Sequence, residues 1–162
     1  MSAMRKVGIA ALALILALSL SGCTLLDAFG IIVLRTMLIL DDDRADQDEI
    51  FEYVRENEAA LEACANSGDF SVLRLPHFIK SILVETDHVD FDCGGAGMGP
   101  DTAYCGFFYS ESDDLSAVWC APHYGQVLTP HGDGFAWKEG GGDNTYYVEH
   151  ICGHFYYYHA TF

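Results

Sequence analysis

Near its C-terminus the chain reads HICGHFYYYH, from His150 to His159. In an extended strand His150, Cys152 and His154 share one face, because side chains alternate with a period of two. Imidazole nitrogens and thiolates are what a tetrahedral zinc ion takes as ligands. Upstream, Cys120 and His123 sit three positions apart and offer a second pair. One reading is therefore a zinc shell of Cys120, His123, Cys152 and His154, with a zinc-binding protein or zinc-dependent enzyme as its consequence. The spacing Cys-x2-His is common by chance, and no Cys-x2-Cys or His-Glu-x2-His accompanies it. The favoured reading has no metal and no cofactor, and takes the cysteines as disulfide partners among surface histidines.

That preference rests on an exported location. Arg5 and Lys6 form a positive start, Val7 to Leu20 is an apolar run of 14 residues, and Leu20-Ser21-Gly22-Cys23 follows. This is the layout of a secretory signal with small residues at its cleavage point. The apolar run is short for a helix that spans a bilayer, which needs about 20 residues. A cysteine directly after the small pair resembles the lipobox of bacterial lipoproteins. That resemblance implies lipidation at Cys23, including palmitate-type acylation, and a signal peptide over residues 1–22. Several acyl chains give stable anchoring that a single chain does not. The expected location is the cell membrane or the outer membrane; Thr24 gives no retention signal of the aspartate type, which in a two-membrane host points to the outer membrane. Residues 23–43 then form an apolar, membrane-proximal segment, broken mainly by Asp27 and Arg35 and ended by Asp41-Asp42-Asp43. Residues 44–162 form the single exported domain.

Exported chains meet oxidising conditions, which favour disulfides. Besides Cys23, five cysteines remain: Cys64, Cys93, Cys105, Cys120 and Cys152. A hairpin Ala103–Ala121 with a four-residue turn would place Cys105 opposite Cys120, within disulfide reach. Trp119 would then cover Gly106. The expected bridges are Cys105–Cys120 first and Cys93–Cys152 second, with Cys64–Cys93 as a competitor and Cys64 otherwise a buried thiol.

Other motifs carry less chemistry. The run Gly94-Gly95-Ala96-Gly97-Met98-Gly99 lacks the Gly-Lys-Ser/Thr of a phosphate loop. His131-Gly132-Asp133-Gly134 and Gly142-Asp143-Asn144 lack the ligand series and closing glutamate of a calcium loop, so they read as turns. Ser110 and Ser116 have no Gly-x-Ser-x-Gly setting.

The charge balance bounds the partners. The chain carries 8 basic and 24 acidic residues, a formal net charge of −16. Loss of Arg5 and Lys6 with the signal leaves −18. Nucleic-acid binding needs basic patches that displace counterions, so that class is excluded as an expectation. A solvated acidic surface, or a cationic partner, remains.

The elements that must position these residues are legible in outline. Ala45 to Ala65 has Ile50, Val54, Leu61 and Cys64 at helical spacing, with Asp46, Asp48 and Glu49 in its first turn. Asn66-Ser67-Gly68 is its stop. From Phe70 the period changes to two. Strands are expected at Ser81–Glu85, Val89–Cys93, Ala103–Ser110, Leu115–Ala121, Phe135–Lys138, Thr145–Glu149 and Phe155–His159, with a brief pairing at Gln126–Thr129. The expected fold is α+β, one N-terminal helix packed on an antiparallel β-meander and stapled by disulfides.

Two stretches carry a family resemblance: CGGAGMGPDTAYCGFFYS, residues 93–110, and TYYVEHICGHFYYYHATF, residues 145–162. They resemble a group of small membrane-anchored bacterial proteins of lipoprotein type, with a CGGxGxGP opening and a YxGFYYS strand. The resemblance spans roughly residues 45 to 162 and implies a membrane-tethered domain. It brings no catalytic residue with it. This chain has Cys105 where the group commonly has an aromatic. The resulting expectation is a non-enzymatic cell-envelope module that binds a protein or other ligand, tethered to the membrane by lipid. The alternatives are the zinc protein above, or an envelope-anchored inhibitor or immunity factor with an acidic surface for a basic target.

Overall fold

The computed structural model describes residues 44–97, 102–122 and 126–162. Cys23, the signal segment and the apolar segment up to residue 43 lie outside the described residues, as does His123.

Helix α1 runs Gln47–Ser67. It begins where the sequence signals a start. Asp46 has extended backbone angles, and its carboxylate accepts the Asp48 N–H at 2.9 Å, which satisfies one orphan donor of the first turn. Asp48 and Glu49 in that turn oppose the positive helix end. Gly68 ends it with φ of 72°, a left-handed conformation that glycine adopts without penalty, and donates to the Cys64 carbonyl. Ile50, Phe51, Val54, Leu61 and Cys64 are buried, the stripe that the spacing predicts plus Phe51.

Seven strands follow: β1 Ser81–Val84, β2 Val89–Ala96, β3 Ala103–Tyr109, β4 Thr129–His131, β5 Gly134–Lys138, β6 Thr145–Cys152 and β7 Phe155–Thr161. They form one sheet in the order β1-β2-β3-β7-β6-β5-β4, with every neighbouring pair antiparallel. The expected single meander is thereby corrected. Two meanders, β1-β2-β3 and β4-β5-β6-β7, meet along β3 and β7, and the domain is mostly β.

The expected hairpin Ala103–Ala121 is also overturned. Cys105 lies opposite His159 and Gly106 opposite Tyr158, because β3 pairs with β7. Residues 115–121 form no strand. They coil in hydrogen-bonded turns, with Asp113 N–H to Ser110 C=O and Ala121 N–H to Val118 C=O, both at 3.0 Å. Two side chains favour the turns: Ser110 Oγ accepts the Asp114 N–H at 3.1 Å, and Asp114 Oδ1 accepts the Ser116 N–H at 2.9 Å. β7 also offers β3 a better set of partners, with Phe107 opposite Tyr157, Phe108 opposite Tyr156 and Tyr109 opposite Phe155.

Disulfide stapling is corrected with the hairpin. None of Cys64, Cys93, Cys105, Cys120 and Cys152 is joined in a disulfide. Cys105 belongs to the layer between α1 and the sheet, whereas Cys120 belongs to the layer on the other face. Cys93 is on β2 and Cys152 on β6, with β3 and β7 between them. Three inter-strand steps of about 4.8 Å each exceed the reach of a disulfide.

The core is double. Phe91, Cys93, Cys105, Phe107, Phe155 and Tyr157 face α1. Phe108, Tyr146, Val148, Tyr156, Tyr158 and Ala160 face the coiled segment that carries Val118 and Cys120. This is why Phe107 to Tyr109 of β3 and Phe155 to Tyr158 of β7 read as unbroken aromatic runs: both faces of each strand are covered.

Candidate functional site

A bulge decides the fate of HICGHFYYYH. The register of β6 on β7 shifts between His150 and Cys152. The extra residue breaks the alternation that would have put His150, Cys152 and His154 on one face. Cys152 turns toward α1, where Glu58 and the desolvation of its site push its thiol up, desolvation first. His150 stays with Tyr156 on the opposite face, its Nε2 2.9 Å from the Gly153 carbonyl. Of the zinc set, Cys120 and Cys152 therefore lie in different layers, and His123 lies outside the described residues. Among the described residues no group of three His, Cys, Asp or Glu side chains is placed to hold a metal ion.

His154 has a different partner. It sits in the β6–β7 turn, with Nδ1 2.7 Å from Asp113 Oδ1. The Tyr156 hydroxyl donates to the same oxygen at 2.8 Å. Asp113 holds this position with φ of 56°, a conformation aspartate tolerates better than most residues. The cluster ties the coiled segment after β3 to the β6–β7 turn. Hydrogen bonding to His154 lowers the Asp113 carboxyl below its ordinary 3.8, and the same bond raises His154 above 6.5. The signs give a window. The His154 contribution is complete below 6.5 and is lost as pH rises through its raised value. The Asp113 contribution is present above 3.8 and is lost as pH falls through its lowered value. The protection of the 111–114 amides, taken relative to their intrinsic exchange rate at each pH, is expected to be greatest in mildly acidic solution and smaller at pH 8, with His154→Ala removing that difference; NMR protection factors measure it. Ser110 is buried: its Oγ meets Ser112 Oγ at 3.3 Å and accepts the Asp114 N–H, and its own N–H donates to the His154 carbonyl at 3.0 Å.

Asp90 is the least expected residue of the second layer. Strand alternation in Val89–Cys93 predicts it solvent-facing, yet it is only 4 % exposed. The coiled segment covers it. The Tyr158 hydroxyl engages its carboxyl, and Gly106 makes room, since a Cβ there would lie 2.7 Å from that hydroxyl. Oδ1 has no hydrogen-bond partner among the described residues. Burial, with Asp92 adding to it, pushes the carboxyl up to about 6, against the opposing pull of Tyr158 and His88.

The site with room for a ligand lies elsewhere. α1 packs on β3, β6 and β7, and leaves β4 and β5 uncovered on its side. A groove of about 670 Å³ results, lined by Gln47, His131, Asp133, Lys138, Thr145 and Tyr147. Its floor is fixed by Glu149, whose Oε2 accepts from the Tyr147 hydroxyl at 2.7 Å and from Gln47 Nε2 at 3.0 Å. His131 stands edge-on to the Tyr147 ring, with centroids 6.3 Å apart. The Tyr147 hydroxyl is pushed up to about 12 by burial and then by Glu149, so it acts at neutral pH as a hydrogen-bonding group and not as a base. The groove thus offers a ring face, an imidazole, an ammonium, a carboxylate and an amide: the mixture that orients a polar ligand of modest size. Sequence reading missed it because Gln47 and Tyr147 are 100 positions apart and meet through the packing of α1 on β6. Asp133 occupies the turn predicted for it, between β4 and β5, whereas His131 is the last residue of β4.

No family model matches the chain, and no curated protein or solved structure matches it either.

Proposed function

We propose that this chain is a lipid-tethered protein of the cell envelope whose domain, residues 44–162, binds a ligand without transforming it, in the groove beside the start of α1. The observation that carries the reading is the groove itself, lined by aromatic and aliphatic surface with several polar side chains among it, and left open because one helix covers only part of a seven-stranded sheet. The tether rests on the signal layout and Cys23. No helix among the described residues is long and apolar enough to cross a membrane.

A second reading, an envelope-anchored inhibitor or immunity factor, is supported by charge. Residues 44–162 carry 20 acidic and 5 basic side chains. Such a surface speeds encounter with a basic target.

Two measurements test the proposal. Cys23→Ser is expected to move the chain from the membrane fraction to the soluble one; retention of that variant in membranes would assign the anchor to residues 25–40. A photoreactive side chain placed at Lys138 or Thr145 in living cells is expected to form discrete adducts that Tyr147→Ala removes. Adducts indifferent to Tyr147→Ala, or equal yield from a control position at Glu111, would count against the groove.

A further inference from the structure

The two edges of the sheet are finished differently. Strand β4 has three residues with Pro130 at its centre, and proline offers no N–H to an incoming strand. Strand β1 reads Ser-Ile-Leu-Val, with neither charge nor proline, and Leu83 and Val84 are 47 % and 49 % exposed. Among the described residues no strand pairs with its outer side. An edge of this kind is a template for strand addition.

A cleft of about 380 Å³ adjoins it, lined by Leu83, Glu85, Asp87, His88, Ala117 and Trp119. Trp119 is 59 % exposed, unusual for so large a ring. Its indole is braced by Tyr104, edge-on at 5.2 Å, and by Phe162, stacked at 5.9 Å. It is therefore a fixed platform with a free face. Asp87 and Glu85 bring two carboxylates to the same cleft. Asp90, directly across the ladder from Leu83, turns to the same face with one oxygen unpartnered.

We propose that the β1 edge receives an extended basic segment of a partner protein as an eighth strand, with an arginine or lysine side chain of that segment held in the cleft between the Trp119 ring and the carboxylates of Glu85 and Asp87. Backbone pairing supplies affinity, alternate side chains supply selection, and a cation over an indole face is favourable. Charge selects the occupant. A second copy of this chain would bring another domain with 20 acidic and 5 basic side chains to an acidic edge, whereas a basic segment is complementary. The proposal is independent of the groove on the other face.

The test uses the full chain in detergent and two synthetic peptides, one alternating valine with arginine and one alternating valine with glutamate. The arginine peptide is expected to slow amide exchange at Ser81–Val84, to change Trp119 fluorescence in a Trp137→Phe background, and to bind more weakly as salt rises. Glu85→Gln combined with Asp87→Asn is expected to weaken it about tenfold. Leu83→Lys, at an exposed position, places a tethered cation in the cleft and is expected to abolish binding without unfolding the domain. Equal binding of the glutamate peptide, or protection away from β1, would overturn the proposal. So would protection of β1 that grows with protein concentration in the absence of peptide, which would assign the edge to a second copy.

Discussion

Asp90→Asn is expected to stabilise the protein at neutral pH. The native carboxyl titrates at about 6 against an ordinary 3.8, chiefly because burial penalises its charge. Between those values the folded state keeps a proton that the unfolded chain has released. Stability therefore falls as pH rises from about 4 to about 6, then levels off at its lower value. Two pH units of displacement correspond to about 3 kcal/mol at most. Asparagine has nearly the same shape and carries no charge to bury. Urea unfolding at pH 4 and pH 7.5 measures the effect. The native protein is expected to be more stable at the lower pH where this group is concerned, and the variant is expected to lose that part of the slope. A variant less stable than the native protein at pH 7.5 would mean that the charged form has a partner the described contacts lack.

Phe107→Ala is expected to cost about 3–5 kcal/mol, the range for emptying a buried aromatic site. Phe107 is fully buried on β3. Its ring stacks on Phe91 with centroids 4.3 Å apart and planes 9° off parallel. It also meets Tyr53 of α1 and Phe155 of β7, each at 6.4 Å, and sits opposite Tyr157. One side chain thus joins the first meander, the helix and the second meander. Trp119→Ala supplies the contrast. In a hairpin Ala103–Ala121 the indole would cover Gly106, and its loss would be costly. In the observed fold it is mostly exposed, and its removal is expected to change the unfolding midpoint far less than Phe107→Ala does. Chemical denaturation of both variants, with an unchanged slope, reads the difference.

The contrast shows where the sequence was legible. The helix could be read because its acidic start, stripe and stop are all local: Asp46, Asp48 and Glu49, the Ile50–Cys64 spacing and Gly68, although Asp46 is its cap and not part of its first turn. Strands β2, β3, β5, β6 and β7 could be placed because alternation and turn residues are local too. The pairing of β3 with β7 is not local, and the chain between them contains an apolar stretch that mimics a return strand. Ser110 and Asp114 hold that stretch in turns, a signal visible only once their side-chain bonds to backbone are known. The disulfide expectation followed from the false hairpin. The same coiled segment explains Asp90, which alternation assigned to solvent. The one-face expectation for His150, Cys152 and His154 failed at a single bulge, which no composition announces. His131 and Asp133 were noticed as a turn, but their partner Tyr147 was read only as core and rim.

The central claim is that the open groove is where this protein binds. Hydrogen–deuterium exchange of the full chain, compared in native membranes and after purification in detergent, tests it most directly. The account predicts slower exchange in native membranes at residues 131–138 and 145–147, with no such change in the Tyr147→Ala variant. Identical exchange of those segments in both settings would contradict it.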